Sequence, residues 1–120
     1  VSLGDYQKEV DDWVQGFTVP YWTPLSQLAR LSEEVGELAR VLNHKYGQKV
    51  KKPTEEPDDL EGEIGDILFD IVCLANSEGI DLDHALQKVI TKSKTRDHDR
   101  FERKPEKASV LERCISKNNP

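Results

Sequence analysis

Apolar residues recur at three- and four-residue steps along most of the chain, and no stretch alternates with the two-residue rhythm of a strand. The first such stretch, LGDYQKEVDDWV, sets Leu3, Tyr6, Val10, Trp13 and Val14 on one face and predicts a helix from Leu3 to about Val14. GFTVPYWTP then breaks the pattern with Gly16, Pro20 and Pro24 and gathers Phe17, Tyr21 and Trp22 in a short loop. Rings so placed lid a small core or stack on a base. The lid is the commoner arrangement, and the two leave the same trace in a sequence.

A second helix of about six turns is predicted from about Leu25, with Thr23 or Pro24 near its start, to a stop at Gly47. The polar, proline-broken QKVKKPTEEPDD reads as a mobile surface loop. Aspartates open a third helix within DDLEGEIGDILFDIVCLANSEG, and Gly79 ends it. Asp81 caps a fourth, with the stripe Leu82, Ala85, Leu86, Val89 and Ile90. Four amphipathic helices predict an all-α four-helix bundle over residues 1–104, followed by a polar tail, 105–120.

At 120 residues the chain has room for one core, and one site is the default expectation. A net charge of −6 argues against nucleic acid or an anionic membrane as partner and favours a bound cation. No apolar run approaches a membrane span and VSLGDYQKEV carries no signal pattern, so a soluble, cytoplasmic protein is expected. Cys73 and Cys114 have neither metal-ligand nor disulfide-framework spacing and read as cytosolic thiols.

The candidate chemistry lies in the acids. On the second helix Leu28, Leu31, Val35, Leu38 and Leu42 fall on one predicted face, with Glu34 at its edge, Glu37 a step further round and Glu33 toward solvent. Alone, these acids read as a solvated edge laced by Arg30–Glu34 and Glu37–Arg40, each pair contributing a few tenths of a kcal/mol. The third helix changes that reading. Leu60, Ile64, Ile67, Leu68, Ile71 and Ala75 form its apolar face, and Phe69, Val72, Cys73 and Leu74 extend it nearly all round, so this helix should be the buried one. Glu63, Asp66 and Asp70 nonetheless share one narrow stripe on it.

Burying unpaired, clustered carboxylates costs several kcal/mol or drives them to take up a proton. No basic residue lies between Asp58 and Gly79 to offset them. Glu34 and Glu37 facing Glu63 and Asp66 would supply four hard oxygen ligands, as magnesium or manganese prefers. A di-iron or di-manganese carboxylate bundle would instead need Glu-x-x-His pairs, which are absent; His44, His84 and His98 read as surface or capping residues.

EEVGE at 33–37 followed by EIGD at 63–66 resembles the paired Glu-Glu-x-x-Glu and Glu-x-x-Asp motifs of the MazG-like, all-α nucleoside triphosphate pyrophosphohydrolases. TPLSQLARLSEEVGELARVLNHKYG, EIGDILFDIVCLANSEGIDL and KTRDHDRF extend the likeness over roughly residues 3–104, to a short single-domain subgroup of YpjD type. The resemblance implies magnesium-dependent hydrolysis of (deoxy)nucleoside triphosphates to monophosphate and pyrophosphate, in the service of nucleotide-pool house-cleaning or supply. It implies Glu34, Glu37, Glu63 and Asp66 as metal ligands, with manganese a feasible substitute, and offers Glu33 as the residue that positions or deprotonates water. Lys92 and Arg96 would hold phosphates, Trp22 would meet the nucleoside, and Asn76 would read sugar or base or else bond to backbone. Cys73 departs from the family's usual asparagine, which puts base recognition in question. The family assembles as a homodimer or homotetramer, in keeping with an almost wholly apolar third helix in so small a protomer. The alternative is a non-enzymatic helical module that senses a metal or binds a partner.

Overall fold

The structure, a computed structural model, describes residues 1–105, 109–111 and 113. Among them are four α-helices in chain order, α1 (Leu3–Val14), α2 (Pro24–Tyr46), α3 (Leu60–Glu78) and α4 (Leu82–Asp97), and no strand. The fold is all-α, as the apolar spacing predicts. Cys114 and most of the predicted tail lie outside the described residues.

Each helix starts where a side chain can satisfy its free N–H groups. Ser2 and Asp5 form a reciprocal capping box on α1, Thr23 caps α2 with Pro24 in its first turn, and Asp59 accepts from the Gly62 N–H at the head of α3. A Cβ at Gly62 would fall 2.3 Å from Asp59 Oδ2, so a larger residue there would push the capping carboxylate out of place. Asp81 accepts from the His84 N–H to open α4. α3 ends at Gly79, whose φ of 69° lets its own N–H and that of Ile80 reach back to carbonyls of the last turn.

The described residues divide into two compact units, Val1–Leu86 and a second beginning at Gln87. In the first, α3 packs against both α2 and α1. The head of α4 joins them there, because the Asp83 carboxylate accepts from the Leu3 and Gly4 N–H groups at the positive end of α1. In the second, the end of α4 is a knot of charge in which Asp97 pairs with Arg96 and Arg100.

The core of the first unit is small: Val14, Val41, Val72 and Ala75, together with the polar Gln27. The buried stripe of α2 coincides with the predicted leucine face only at Leu31 and Leu38. Gln27 and Val41 are buried and Leu31, Glu34 and Leu38 half-buried, whereas Leu28 (53% exposed), Val35 (49%) and Leu42 (39%) face outward. The helix carries two apolar stripes, and α3 covers the one that contains Glu34. On α3 itself Ile64 and Leu68 are likewise exposed.

His44 departs from the surface position expected of it. Its side chain is only 3% exposed and is held between Glu55 at 3.4 Å and Asp58 at 3.2 Å, so that the α2–α3 connection folds back on the end of α2. The hydrogen bond with His44 holds the Asp58 carboxyl below the usual aspartate range.

Candidate active site

Where α2 and α3 pack together, one carboxylate oxygen from each of Glu34, Glu63 and Asp66 lies within 4.8 Å of the others. Helical spacing accounts for the arrangement. Glu63 and Asp66 are three residues apart and share a face of α3, and Glu34 lies on the covered stripe of α2 with its side chain 13% exposed. Glu37 is outside this triad. It is half-buried one turn along α2 and paired with Arg40. Glu33 is exposed.

Three like charges at this range repel one another, and although Asp66 is exposed, the partial burial of Glu34 and Glu63 removes water that would screen them. Burial pushes the Glu63 carboxyl above its ordinary range, and the charges of Asp66, Glu37 and Glu34 push it further, against a smaller opposing effect of Arg40. Arg30 pairs with Glu34 at 3.1 Å, but among the described residues no lysine or arginine nitrogen comes within 4.0 Å of Glu63 or Asp66. The triad thus has oxygen ligands in excess and too little positive charge, the condition a hard divalent cation relieves.

Beside the triad opens a cavity of about 370 Å³, walled by aromatic rings from α1, the α1–α2 loop and α3. Trp13 packs edge-on to Phe17, with centroids 5.1 Å apart, and 6.5 Å from Phe69. Trp22 and Phe17 are about half exposed, so these rings wall an open pocket and do not lid the core. Arg30 joins pocket and triad: its Nε pairs with Glu34 while its guanidinium lies 5.7 Å from the centre of the Trp22 ring. Asp70, one turn beyond Asp66, and Cys73 complete the wall on α3, and burial raises the pKa of both. The sequence gives no local signal for Trp13 or Gln27 here, because each belongs to a different element and only packing brings them to one pocket.

Asn76 lies outside this wall. Its Nδ2 donates to the Gln7 carbonyl (3.0 Å) and to Tyr21 Oη (3.1 Å), and its Oδ1 accepts from Gln7 Nε2 (3.0 Å). Gln7 donates again to the Ile80 carbonyl and accepts from the Leu82 N–H, and Tyr21 donates to Asp11 at 2.6 Å. This network ties α1, the aromatic loop, the end of α3 and the head of α4 together. Lys92 and Arg96 belong to the second unit, on α4; Lys92 is exposed and Arg96 is paired with Asp97.

Residues 22–101 match the MazG nucleotide pyrophosphohydrolase domain family. The chain is 51% identical over 105 residues to the uncharacterized protein YpjD of Bacillus subtilis (strain 168), an alignment that covers 88% of this chain and 95% of that one. Among solved structures, the crystal structure of YpjD from Bacillus subtilis superposes with a TM-score of 0.69 at 50% identity, over 77% of this chain and 94% of that one. The crystal structure of the Bacillus-conserved MazG protein, a nucleotide pyrophosphohydrolase, superposes with a TM-score of 0.69 at 44% identity, over 82% and 96%. None of the described helices is long and apolar enough to cross a membrane.

Proposed function

The chain belongs to the MazG nucleotide pyrophosphohydrolase family, and from that premise we propose that it cleaves (deoxy)nucleoside triphosphates to monophosphate and pyrophosphate with the help of magnesium, as a house-cleaning or supply enzyme of the cytoplasmic nucleotide pool. The observation that carries this reading is the convergence of Glu34, Glu63 and Asp66 beside an aromatic pocket. The donor set fits the metal: three carboxylates, all oxygen, converge where neighbouring positive charge is deficient. In this reading Glu34, Glu63 and Asp66 hold the ion, with Glu37 a further ligand once released from Arg40. Bound there, magnesium would polarise phosphoryl oxygens and lower the pKa of a water.

The remaining work falls to the chain's own groups. The rings of Trp22, Phe17 and Phe69 offer faces on which a base can stack, which holds the nucleoside while its phosphates extend toward the triad. Arg30 holds Glu34 in place and rests against Trp22, so it orients both subsites. Glu33, exposed beside Glu34 on α2, takes the proton of the attacking water. Lys92 and Arg96 as phosphate contacts rest on the family resemblance, as does a catalytic domain of residues 1–104. We further read the protein as a homodimer or homotetramer. A core of four small apolar side chains leaves Leu28, Val35 and Leu42 on α2 and Ile64 and Leu68 on α3 uncovered, and a second copy would bury them.

Product analysis on a panel of canonical and modified nucleoside triphosphates, with and without magnesium, tests the reading. Metal-dependent release of monophosphate and pyrophosphate is the expected result. Release of diphosphate and phosphate would refute the bond assignment. Absence of turnover with every triphosphate, in a protein shown to bind the metal, would leave a metal-sensing or partner-binding module.

A further inference from the structure

Asp70 is a charged side chain that the hydrolytic machinery does not use. It lines the aromatic cavity, and its Oδ2 is buried with no hydrogen-bond partner among the described residues. Nothing in the first unit's packing requires an acid there, since Asp70 makes no ion pair and caps no helix among the described residues. A buried acceptor left without a donor is costly, and a ligand in the cavity that brought a donor to this carboxylate would relieve that cost.

Its surroundings define what that ligand presents. Gln27, also in the wall, accepts from the Ser77 hydroxyl with Oε1, and its amide nitrogen makes none of the described hydrogen bonds. Arg30 adds guanidinium donors on the same wall. The cavity therefore combines flat apolar faces, one unmet acceptor and nearby donors. Resting on the function proposed above, we propose that Asp70 is a base-specificity residue, accepting a hydrogen bond from the exocyclic amine of the substrate base, so that amino-bearing bases are preferred to counterparts that carry oxygen or hydrogen in its place. Cytosine matches this arrangement through its 4-amino group beside two acceptors, and guanine through its 2-amino and N1–H groups beside O6. Uracil sets a carbonyl oxygen against Asp70 where cytosine has its amine, and hypoxanthine lacks the 2-amino group of guanine. Burial, together with the charge of Glu34, raises the Asp70 carboxyl above the usual aspartate range, and both protonation states retain an oxygen that accepts.

The test compares kcat/KM for dCTP against dUTP and for dGTP against dITP, pairs that share sugar and phosphates and differ in the exocyclic amine. The wild-type protein should favour the amino member of at least one pair by on the order of tenfold or more. Asp70→Asn, whose amide can turn either a donor or an acceptor to the base, should bring that ratio close to one while the protein stays folded. Asp70→Ser serves the same comparison if the asparagine variant does not fold. A wild-type protein indifferent to the amine in both pairs overturns the inference, and so does a preference that survives in the variants. Turnover with flat ratios would sink Asp70 as the base reader and leave the pyrophosphohydrolase standing. No turnover of any triphosphate would remove both together.

Discussion

The first unit contains two clusters of polar side chains along α3, about three helical turns apart, and they are finished in opposite ways. Around Asn76 every group meets a complement: amide to carbonyl, hydroxyl to carboxylate, amide to backbone N–H. Around Glu63 the acceptors face one another. The pKa directions record the contrast. Hydrogen bonds from Tyr21 and Gln15 draw the Asp11 carboxyl below its ordinary range, whereas burial and neighbouring carboxylates drive Glu63 above it. A polar cluster that satisfies itself contributes to the fold, and one that cannot is waiting for something the chain does not supply.

The contrast is broken most directly by exchanging a single carboxylate for its amide. Asp66→Asn should lower kcat/KM by about a hundredfold or more, because a ligand to the ion is lost. Its unfolding temperature without metal should equal or exceed that of the wild type, since one of three repelling charges is gone. A marked loss of metal-free stability would place Asp66 among the structural acids. Magnesium itself should stabilise the wild-type protein by about 2.7 kcal/mol at a hundredfold excess over Kd, and Asp66→Asn should lose most of that gain. Equal stabilisation of both proteins would put the ion elsewhere.

On the satisfied side, Asn76→Ala should do the reverse. Removing three hydrogen bonds leaves Gln7 and Tyr21 short of partners, at a cost of about 1–3 kcal/mol in denaturant unfolding. At temperatures where the variant stays folded, kcat/KM should change little and the magnesium shift should persist. A rise in KM without loss of stability would instead make Asn76 a substrate contact.

How much of this the sequence discloses depends on how local each feature is. Helix limits are legible because their determinants are neighbours: Ser2 with Asp5, Thr23 before Pro24, Asp59 with Gly62, Gly79 at a positive φ. The buried side of α2 is not, because Leu28, Val35 and Leu42 make as good a stripe as Leu31, Leu38 and Val41, and only contact with α3 decides between them. The acids of α3 stand out in sequence because charge in an apolar helix is anomalous wherever that helix packs. The cavity does not, because Trp13, Trp22 and Phe69 are spread over three elements. Asn76 shows the same limit from the other side. Its partners, Gln7 and Tyr21, are 69 and 55 residues away, so no spacing rule could distinguish a strut from a reader of sugar or base.

The smallest effect sharpens the comparison within the satisfied cluster. Tyr21→Phe removes the hydroxyl that donates to Asp11 at 2.6 Å, and the stability difference from wild type should depend on pH. Because the Asp11 pKa is lowered on folding, its contribution is present above the ordinary aspartate pKa and is lost as pH falls through the folded value. Because burial and Asp11 raise the Tyr21 pKa to about 12, that contribution is present below the ordinary tyrosine pKa and is lost as pH rises through 12. The wild-type advantage, a modest shift in denaturant midpoint, should therefore hold level across the neutral range and shrink in acid. An advantage that grew on acidification would mean that Asp11 is destabilised where it stands, as Glu63 is, and that the network around Asn76 is held together by packing alone.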